Sequence, residues 1–497
     1  MIDQQRQQSR KLKPLTCTSR LACYASVAVA LLCTPLVPTA AQTNDLNSTA
    51  GSEGLGAAAT DAADYYPTNV APAPEFAPGR NPYGNLKNVI VDWNLAAQQL
   101  GRTSGYDPPR LLSLVHLAQW RALQAAGGPA TNYSMSAVAG YAGHFVMAQL
   151  LPSNLKDYDV LLAAQLGNIS AADATTAQTI ATNAATLLLQ NRTNDGTQRF
   201  VIVPIAQSGS PQGEYQYAPN QTYPRNQNKA NATSYVIPFP LSQLNTTNMR
   251  PPVIPSPEFD ADYAFTLAFG AINSTNRTAY ETDTAKFWYD ETTGNEGITA
   301  HYNNVALASL PANTSLYDTA HFFAIFNTAQ FDGRIAYFTM KYDNLFWRPI
   351  TAAYQLISSG NSSAGVTADP SWQPLLTTVP EPDYPSGHGV LSGVAEAVLR
   401  NWFNTDNVTF SMVSEYPALG VYPANGTTPL PSRTYTSFSS AAMETGMSRV
   451  YAGIHFLHDV TDGRIVGNQV GDYVFDNFEA KWSGASPTVA SGGVVTA

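Results

Sequence analysis

The sequence predicts an all-α protein, a large helical bundle with long irregular loops. Three observations carry this reading. Apolar residues recur at three- and four-residue steps in one segment after another, the spacing that lines one face of a helix. Strand-like alternation is scarce. At 497 residues with 44% hydrophobic content, the chain has ample material for a core of one large or two medium domains.

The elements follow in order. Residues 1–41 read as a signal peptide: Arg6, Arg10, Lys11, Lys13 and Arg20 precede an uncharged apolar stretch, and Thr39-Ala40-Ala41 suits cleavage after Ala41. A retained signal anchor is the alternative, though the apolar stretch is short for a spanning helix. Residues 42–85, rich in Ala, Gly, Asn, Thr and Pro, form a flexible lead-in to a helical domain over 86–480. Pro108-Pro109 opens a helix in which Leu111, Leu114, Val115, Ala118 and Ala122 share a face. Further helices are expected at 136–151 and 171–190. Residues 193–259 break into Gln, Asn, Pro and Gly, an irregular excursion expected to pack against the helices. Helical spacing resumes at 261–271, 277–289 and 299–308. The stretch 316–357 is too long for one ordinary helix and is expected to hold two. Helices at 387–403, 435–447 and 459–478 complete the bundle, and the small-residue tail at 481–497 is expected to be disordered.

Charge and cysteine usage narrow the function. The net charge of −10, from 26 Lys+Arg and 36 Asp+Glu, argues against a nucleic-acid partner. Cys17, Cys23 and Cys33 all lie in the leader, so a mature chain would contain no thiol and no disulfide. A large core can dispense with staples, and an enzyme working in oxidant gains from having no thiol to lose. Asn-x-Ser/Thr sequons begin at Asn47, Asn132, Asn168, Asn191, Asn220, Asn231, Asn245, Asn273, Asn276, Asn313, Asn361, Asn407 and Asn425, a density that fits a secreted, extracellular glycoprotein. No later segment has the length and apolarity of a membrane span.

Three short segments concentrate the chemistry. Lys341 and Arg348-Pro349 form the first, Pro385-Ser386-Gly387-His388 the second, and Ser448-Arg449 with His455 and Asp459 the third. Together they supply three cations, a hydroxyl, a glycine amide and two imidazoles, the groups needed to grip a tetrahedral or trigonal-bipyramidal oxyanion and move protons beside it. Lys341 and Arg348 stand seven residues apart, two turns, so both would project from one helix face. Ser386 and the Gly387 amide fall at a helix N-terminus, where free N–H groups and the dipole favour an anion. His455 and Asp459, four apart, would let the carboxylate hold Nδ1–H and leave Nε2 free. Gly453 marks a helix boundary that lets Arg449 and His455 converge. His458 is expected at the edge of the site or in solvent, and His116, His144, His301 and His321 as ordinary helix or loop residues. No Asp, Glu or His grouping has zinc or calcium spacing, so no structural metal is expected.

These motifs, in this order and spacing, resemble the signature of the type-2 phosphatidic acid phosphatase and vanadium haloperoxidase superfamily. Asn276-Arg277-Thr278 through Phe287-Trp288, Phe346-Trp347-Arg348-Pro349-Ile350-Thr351-Ala352, and the stretch from Tyr435 to His455 resemble its soluble haloperoxidase branch, as does Asp107-Pro108-Pro109-Arg110. The resemblance implies a helical bundle of the phosphatidic acid phosphatase/haloperoxidase type with one vanadate per chain. His455 would ligate vanadium, Lys341, Arg348, Ser386, Gly387 and Arg449 would bind the oxygens, and His388 would act as acid and base. It further implies hydrogen peroxide and a halide, bromide or iodide more than chloride, or a small organic acceptor as reactants. Phosphate would fit the same site, and the same atoms serve a secreted acid phosphatase in which His455 attacks phosphorus, Asp459 orients it and His388 protonates the leaving alcohol. One position departs from the pattern: seven residues before His388 the halide-oxidising relatives resemble one another in carrying Phe or His, and this chain has Glu381, with Asp383 close by. That carboxylate either faces the site and repels halide or sits solvated at its rim.

Overall fold

The computed structural model describes residues 83–482, apart from 105–106, 131–133, 198–211, 219–220, 222–229, 231, 238–240, 245, 247–248, 290–296, 356–365, 367 and 414–431. The expected signal peptide, the cysteines, nearly all of the lead-in, the terminal tail from 483 and the sequons at Asn47, Asn132, Asn220, Asn231, Asn245, Asn361 and Asn425 lie outside the described residues.

The described chain is all-α around one two-stranded sheet. Five helices come first: α1 (Val89–Ser104), α2 (Pro108–Ala125), α3 (Met135–Leu150), α4 (Leu155–Leu166) and α5 (Ala171–Asn191). After the irregular excursion follow α6 (Pro257–Gly270), α7 (Ala279–Phe287), α8 (Gly297–Ser309), α9 (Leu316–Asn344), α10 (Pro349–Gln355), α11 (Gly387–Phe403), α12 (Phe438–Tyr451) and α13 (Leu457–Trp482). Side-chain caps set many of the starts. Ser256, Ser315, Ser386 and Ser437 each accept the N–H three residues on, and Thr278 with Glu281 forms a reciprocal capping box.

Helix α9 is the axis of the molecule. It is buried from Thr319 to Tyr342 except at His321 and Thr339, with α2, α11 and α13 packed around it. An apolar surface all round is what a core helix requires. The expected division of 316–357 into two helices is present, but the break falls earlier than Pro349. Leu345 takes a left-handed conformation (φ 45°) and caps α9 by donating its N–H to the Lys341 carbonyl. Arg348 therefore lies off α9, and the expectation that Lys341 and Arg348 share one helix face is corrected. The irregular excursion packs as expected where it is described. The Asp332 carboxylate on α9 accepts the N–H groups of Tyr235, Val236 and Ile237, and Tyr215 N donates to the Leu345 carbonyl.

Helices α11 and α13 meet along a seam of glycines. A Cβ on Gly467 would stand 2.0 Å from the Val390 carbonyl oxygen, one on Gly393 2.4 Å from the Arg464 carbonyl oxygen, and one on Gly463 2.9 Å from the Ser386 carbonyl oxygen. Peptide thus packs directly on peptide, closer than any side chain would allow. The spacing Gly389-x3-Gly393 opposite Gly463-x3-Gly467-x3-Gly471 is legible in the sequence and went unread there. Also unread are the short strands β1 (Phe410–Val413) and β2 (Ser432–Tyr435), antiparallel with Phe410 opposite Tyr435. Because 432–435 pairs as a strand, α12 begins after the cap at Ser437 and not at 435 as expected.

Candidate active site

The seam brings the N-termini of α11 and α13 together, and the three sequence segments converge there. Lys341 arrives from the last turn of α9, Ser386 caps α11, and Arg449 ends α12. Gly453 (φ 76°) turns the chain between α12 and α13, so close to Gly270 that a Cβ on it would meet the Gly270 carbonyl oxygen at 2.4 Å. That turn delivers His455 two residues before α13 begins, so His455 is not helical as expected, although Asp459 lies in the first turn of α13.

Lys341 has no exposed surface, and its Nζ donates to the carbonyls of Pro382 (2.6 Å) and Asp383 (2.9 Å). Burial, reinforced by the neighbouring Arg348 charge, brings its pKa down to about 8. Arg348 donates from Nε to the Glu381 carbonyl (2.8 Å) and from Nη1 to the Ile454 carbonyl (2.9 Å). Its Nη1 also lies 3.0 Å from His455 Nε2, which fixes Nε2 as the lone-pair nitrogen of that ring. The buried Nη2 of Arg348 has no hydrogen-bond partner among the described residues. A guanidinium donor left idle in the interior is costly, and an oxyanion there would satisfy it.

Behind His455 stand two buried carboxylates. Nδ1 lies 2.6 Å from Asp383 Oδ1 and 3.4 Å from Asp459 Oδ2. Asp459, the expected partner, takes the His455 Nδ1 hydrogen bond, and its other oxygen stands 2.7 Å from His458 Nε2, whose Nδ1 contacts Asp262 of α6. The expectation that His458 lies at the edge or in solvent is therefore wrong. It is fully buried, stacked on Phe456, and its pKa is raised well above the usual imidazole range by Asp459 and Asp262 against the cost of burial. Burial would raise the Asp459 carboxyl, but His458, with hydrogen bonds from the site, holds it well below the carboxylate range. Asp383 shifts the other way, upward, through burial and the Asp459 charge. Asp383, His455 and Asp459 present ligand atoms within 4.8 Å of one another, but Arg348 Nη1 lies 2.9 Å from Asp383 Oδ1, so the cluster faces a cation already.

His388, buried in the first turn of α11, holds its Nε2 3.3 Å from the Trp288 carbonyl. Burial and then the Arg449 and His455 charges push its pKa well below the usual value, so the ring is neutral at pH 7 and able to take a proton. Arg449 places its guanidinium carbon 5.5 Å from the centre of the Tyr289 ring. A Cβ on Gly387 would meet the Tyr337 ring at 3.2 Å, so the amide beside Ser386 is tightly walled. Glu381, the position left open by the sequence, is in the site: Oε1 stands 3.6 Å from Lys341 Nζ and 3.8 Å from Arg348 Nη2. His301, expected to be ordinary, packs edge-on against Trp288, and its charge also lowers His388. His116 sits in a buried amide network, while His144 and His321 pair with Asp159 and Glu479.

Trp288, Asp262 and the partnership of His458 were missed by sequence reasoning. Asp262 lies 196 residues from His458 in sequence, and no local motif announces it.

The arrangement gathers cations around a ring nitrogen lone pair, a donor set whose chemistry suits an oxyanion. Residues 321–484 match the family model of the VCPO second helical-bundle domain. No curated protein sequence matches the chain. Among solved structures, the chain is similar to the first bacterial vanadium-dependent iodoperoxidase to be crystallised, at 20% identity and TM-score 0.62, over 78% of this chain and 95% of that one. It is also similar to apo bacterial vanadium-dependent chloroperoxidase (18%, TM-score 0.56, 76% of this chain and 94% of that one) and to the holo form (17%, 0.54, 83% and 97%). Lys341, Arg348, Ser386, Gly387, His388, Arg449, His455 and Asp459 all fall inside the matched segment, and the chain shares the helical-bundle fold of these vanadium-dependent haloperoxidases.

Proposed function

We propose that the chain is a secreted vanadate-dependent enzyme that uses hydrogen peroxide to oxidise a halide, bromide or iodide in preference to chloride. One observation carries the reading: at a single buried point Arg348 meets the lone-pair nitrogen of His455, at 3.0 Å, while keeping an idle Nη2 donor. His455 Nε2 would hold vanadate, and Lys341, Arg348, Arg449, Ser386 and the Gly387 amide would bind its oxygens. Bound vanadate supplies a Lewis acid that activates peroxide without changing oxidation state. The chain supplies the rest. Asp459 keeps the proton on His455 Nδ1, with Asp383 beside it, the cations neutralise the anion, and neutral His388 accepts a proton from the incoming peroxide. The apolar walls built by Trp288 and Tyr337 limit water beside it.

Purified protein assayed with and without orthovanadate tests this, scoring halide oxidation by peroxide beside phosphoester hydrolysis. Vanadate-dependent halide oxidation is expected. His455→Ala should abolish vanadate binding, whereas His388→Ala should keep binding and lose turnover by roughly 100-fold or more. Normal vanadate affinity in the His455 variant would overturn the assignment. A second reading, phosphoester hydrolysis with His455 as nucleophile, is favoured by Glu381, whose charge beside the cations opposes halide. Hydrolysis without vanadate, and no halide oxidation with it, would select that reading. Secretion draws support from Asn168, Asn191, Asn273, Asn276, Asn313 and Asn407, the sequon asparagines among the described residues, all of which are exposed.

A further inference from the structure

The cations of the site divide their donors unevenly. Lys341 directs Nζ to two backbone carbonyls, and Arg348 directs Nε and Nη1 to two more and to His455. What remains, the third ammonium proton and the Nη2 pair, faces the Glu381 carboxylate at 3.6 and 3.8 Å. Those are ion-pair distances, too long for hydrogen bonds. With Asp383 at 2.9 Å from Arg348 Nη1, the Glu381 carboxylate therefore offsets part of the cradle's charge without using up its donors. Its side chain is 11% exposed, against none for Asp383, so of the two it stands on the solvent side. Its backbone is pinned, because the Glu381 carbonyl accepts from Arg348 Nε.

We infer that Glu381 is the specificity-determining residue of the oxyanion cradle: an internal counter-anion that any ligand must displace from Lys341 and Arg348. The inference rests on the oxyanion reading of the site. Displacement imposes the same penalty on every anion. A tetrahedral oxyanion recovers it through several directed hydrogen bonds from the freed donors, whereas a halide, with one charge and no oxygen array, does not. Glu381 thus sets a threshold that admits phosphate-like anions to the cradle and keeps free halide from taking their place there, leaving halide to react beside a seated oxyanion.

Calorimetric titration of full-length wild type, Glu381→Gln and Glu381→Asp with inorganic phosphate, orthovanadate and bromide, at constant ionic strength, tests the threshold. Glu381→Gln should bind both oxyanions at least about ten-fold more tightly and show bromide binding that wild type lacks. Glu381→Asp, which keeps the charge, should stay within about three-fold of wild type. A crystal structure of wild type with vanadate bound should place the Glu381 carboxylate more than about 5 Å from both cations, a readout that does not depend on any variant folding. Equal or weaker oxyanion affinity in Glu381→Gln, or a carboxylate that keeps its place beside bound anion, would overturn the inference and leave the site reading intact. Failure of every protein to bind either oxyanion would overturn both.

Discussion

An ammonium with no exposure must be held charged by its surroundings, and at Lys341 they hold it only to about pH 8. The protonated form is the one that binds an anion. Oxyanion affinity should therefore be full below about pH 8 and fall above it, with the midpoint moving upward as anion saturates the site. Phosphate affinity measured from pH 6 to 10 checks this, and Lys341→Met should bind weakly throughout and lose that dependence. The linked stability has a definite sign. Between about 8 and the ordinary 10.5, the unfolded chain binds the proton that the folded chain has released, so the Lys341 contribution to stability rises with pH across that window. A second residue-scale prediction concerns His458, an imidazolium between two buried carboxylates. Removing one in Asp262→Ala should cost about 3 kcal/mol in denaturant unfolding, because it strips a buried charge of one of its two partners and leaves Nδ1–H unsatisfied. At this scale the sequence was legible for the cations and for His388 and His455, though not for His458 or His301. Lys341, Arg348, His388, Arg449 and His455 stand in motifs whose chemistry their neighbours do not share. Carboxylates were less so: Asp383 and Glu381 sit in a proline-rich loop whose path only tertiary packing decides, and Asp262 is joined to the site by the fold alone.

Most of the helices were legible because their apolar faces are one-sided and their caps are local, as at Ser386 and Ser437. The break at Leu345 was not, since a left-handed leucine is set by the strand-like contact of residues 213–215 with 345–347 and not by its own propensity. Element packing yields a sharper prediction. Gly393→Ala or Gly467→Ala would drive a methyl into a facing backbone carbonyl and should destabilise the protein by about 3 kcal/mol or more. Gly167 has φ 53° and ψ −125° but nothing within 4 Å of a Cβ, so Gly167→Ala should cost backbone strain alone, about 2 kcal/mol. Melting temperatures of the three variants would separate collision from strain. Equal shifts would refute the seam.

Across the whole molecule, α1 to α5 contribute none of the site groups named above among the described residues, yet α1 and α2 share a buried polar network with α8 and α9. Asn94, Gln98, His116, Gln119, Asn303 and Asn327 bond to one another beside α9. Burial, only partly offset by the Gln119 bond, drives His116 down to about 3. From pH 6.5 down toward that value the unfolded chain carries a proton on this ring that the folded chain refuses, so stability falls as pH falls. His116→Gln should flatten the dependence of unfolding free energy on pH by about one proton in that window. An unchanged slope would mean that the ring is protonated inside the network. No periodicity announces such a network, because its members satisfy one another across helices far apart in sequence.

The glycine seam has one more consequence, for the width of the site. Its two walls, Ser386 to His388 on one side and His455 to Asp459 on the other, are the leading ends of helices whose spacing is a peptide-to-peptide distance. A gap filled by side chains can open or narrow as rotamers change, but here nothing between the axes can rotate. The seam acts as a fixed caliper. Exchanging residues that line the site will alter the charge it presents, whereas the radius of anion it accepts is written into the backbone.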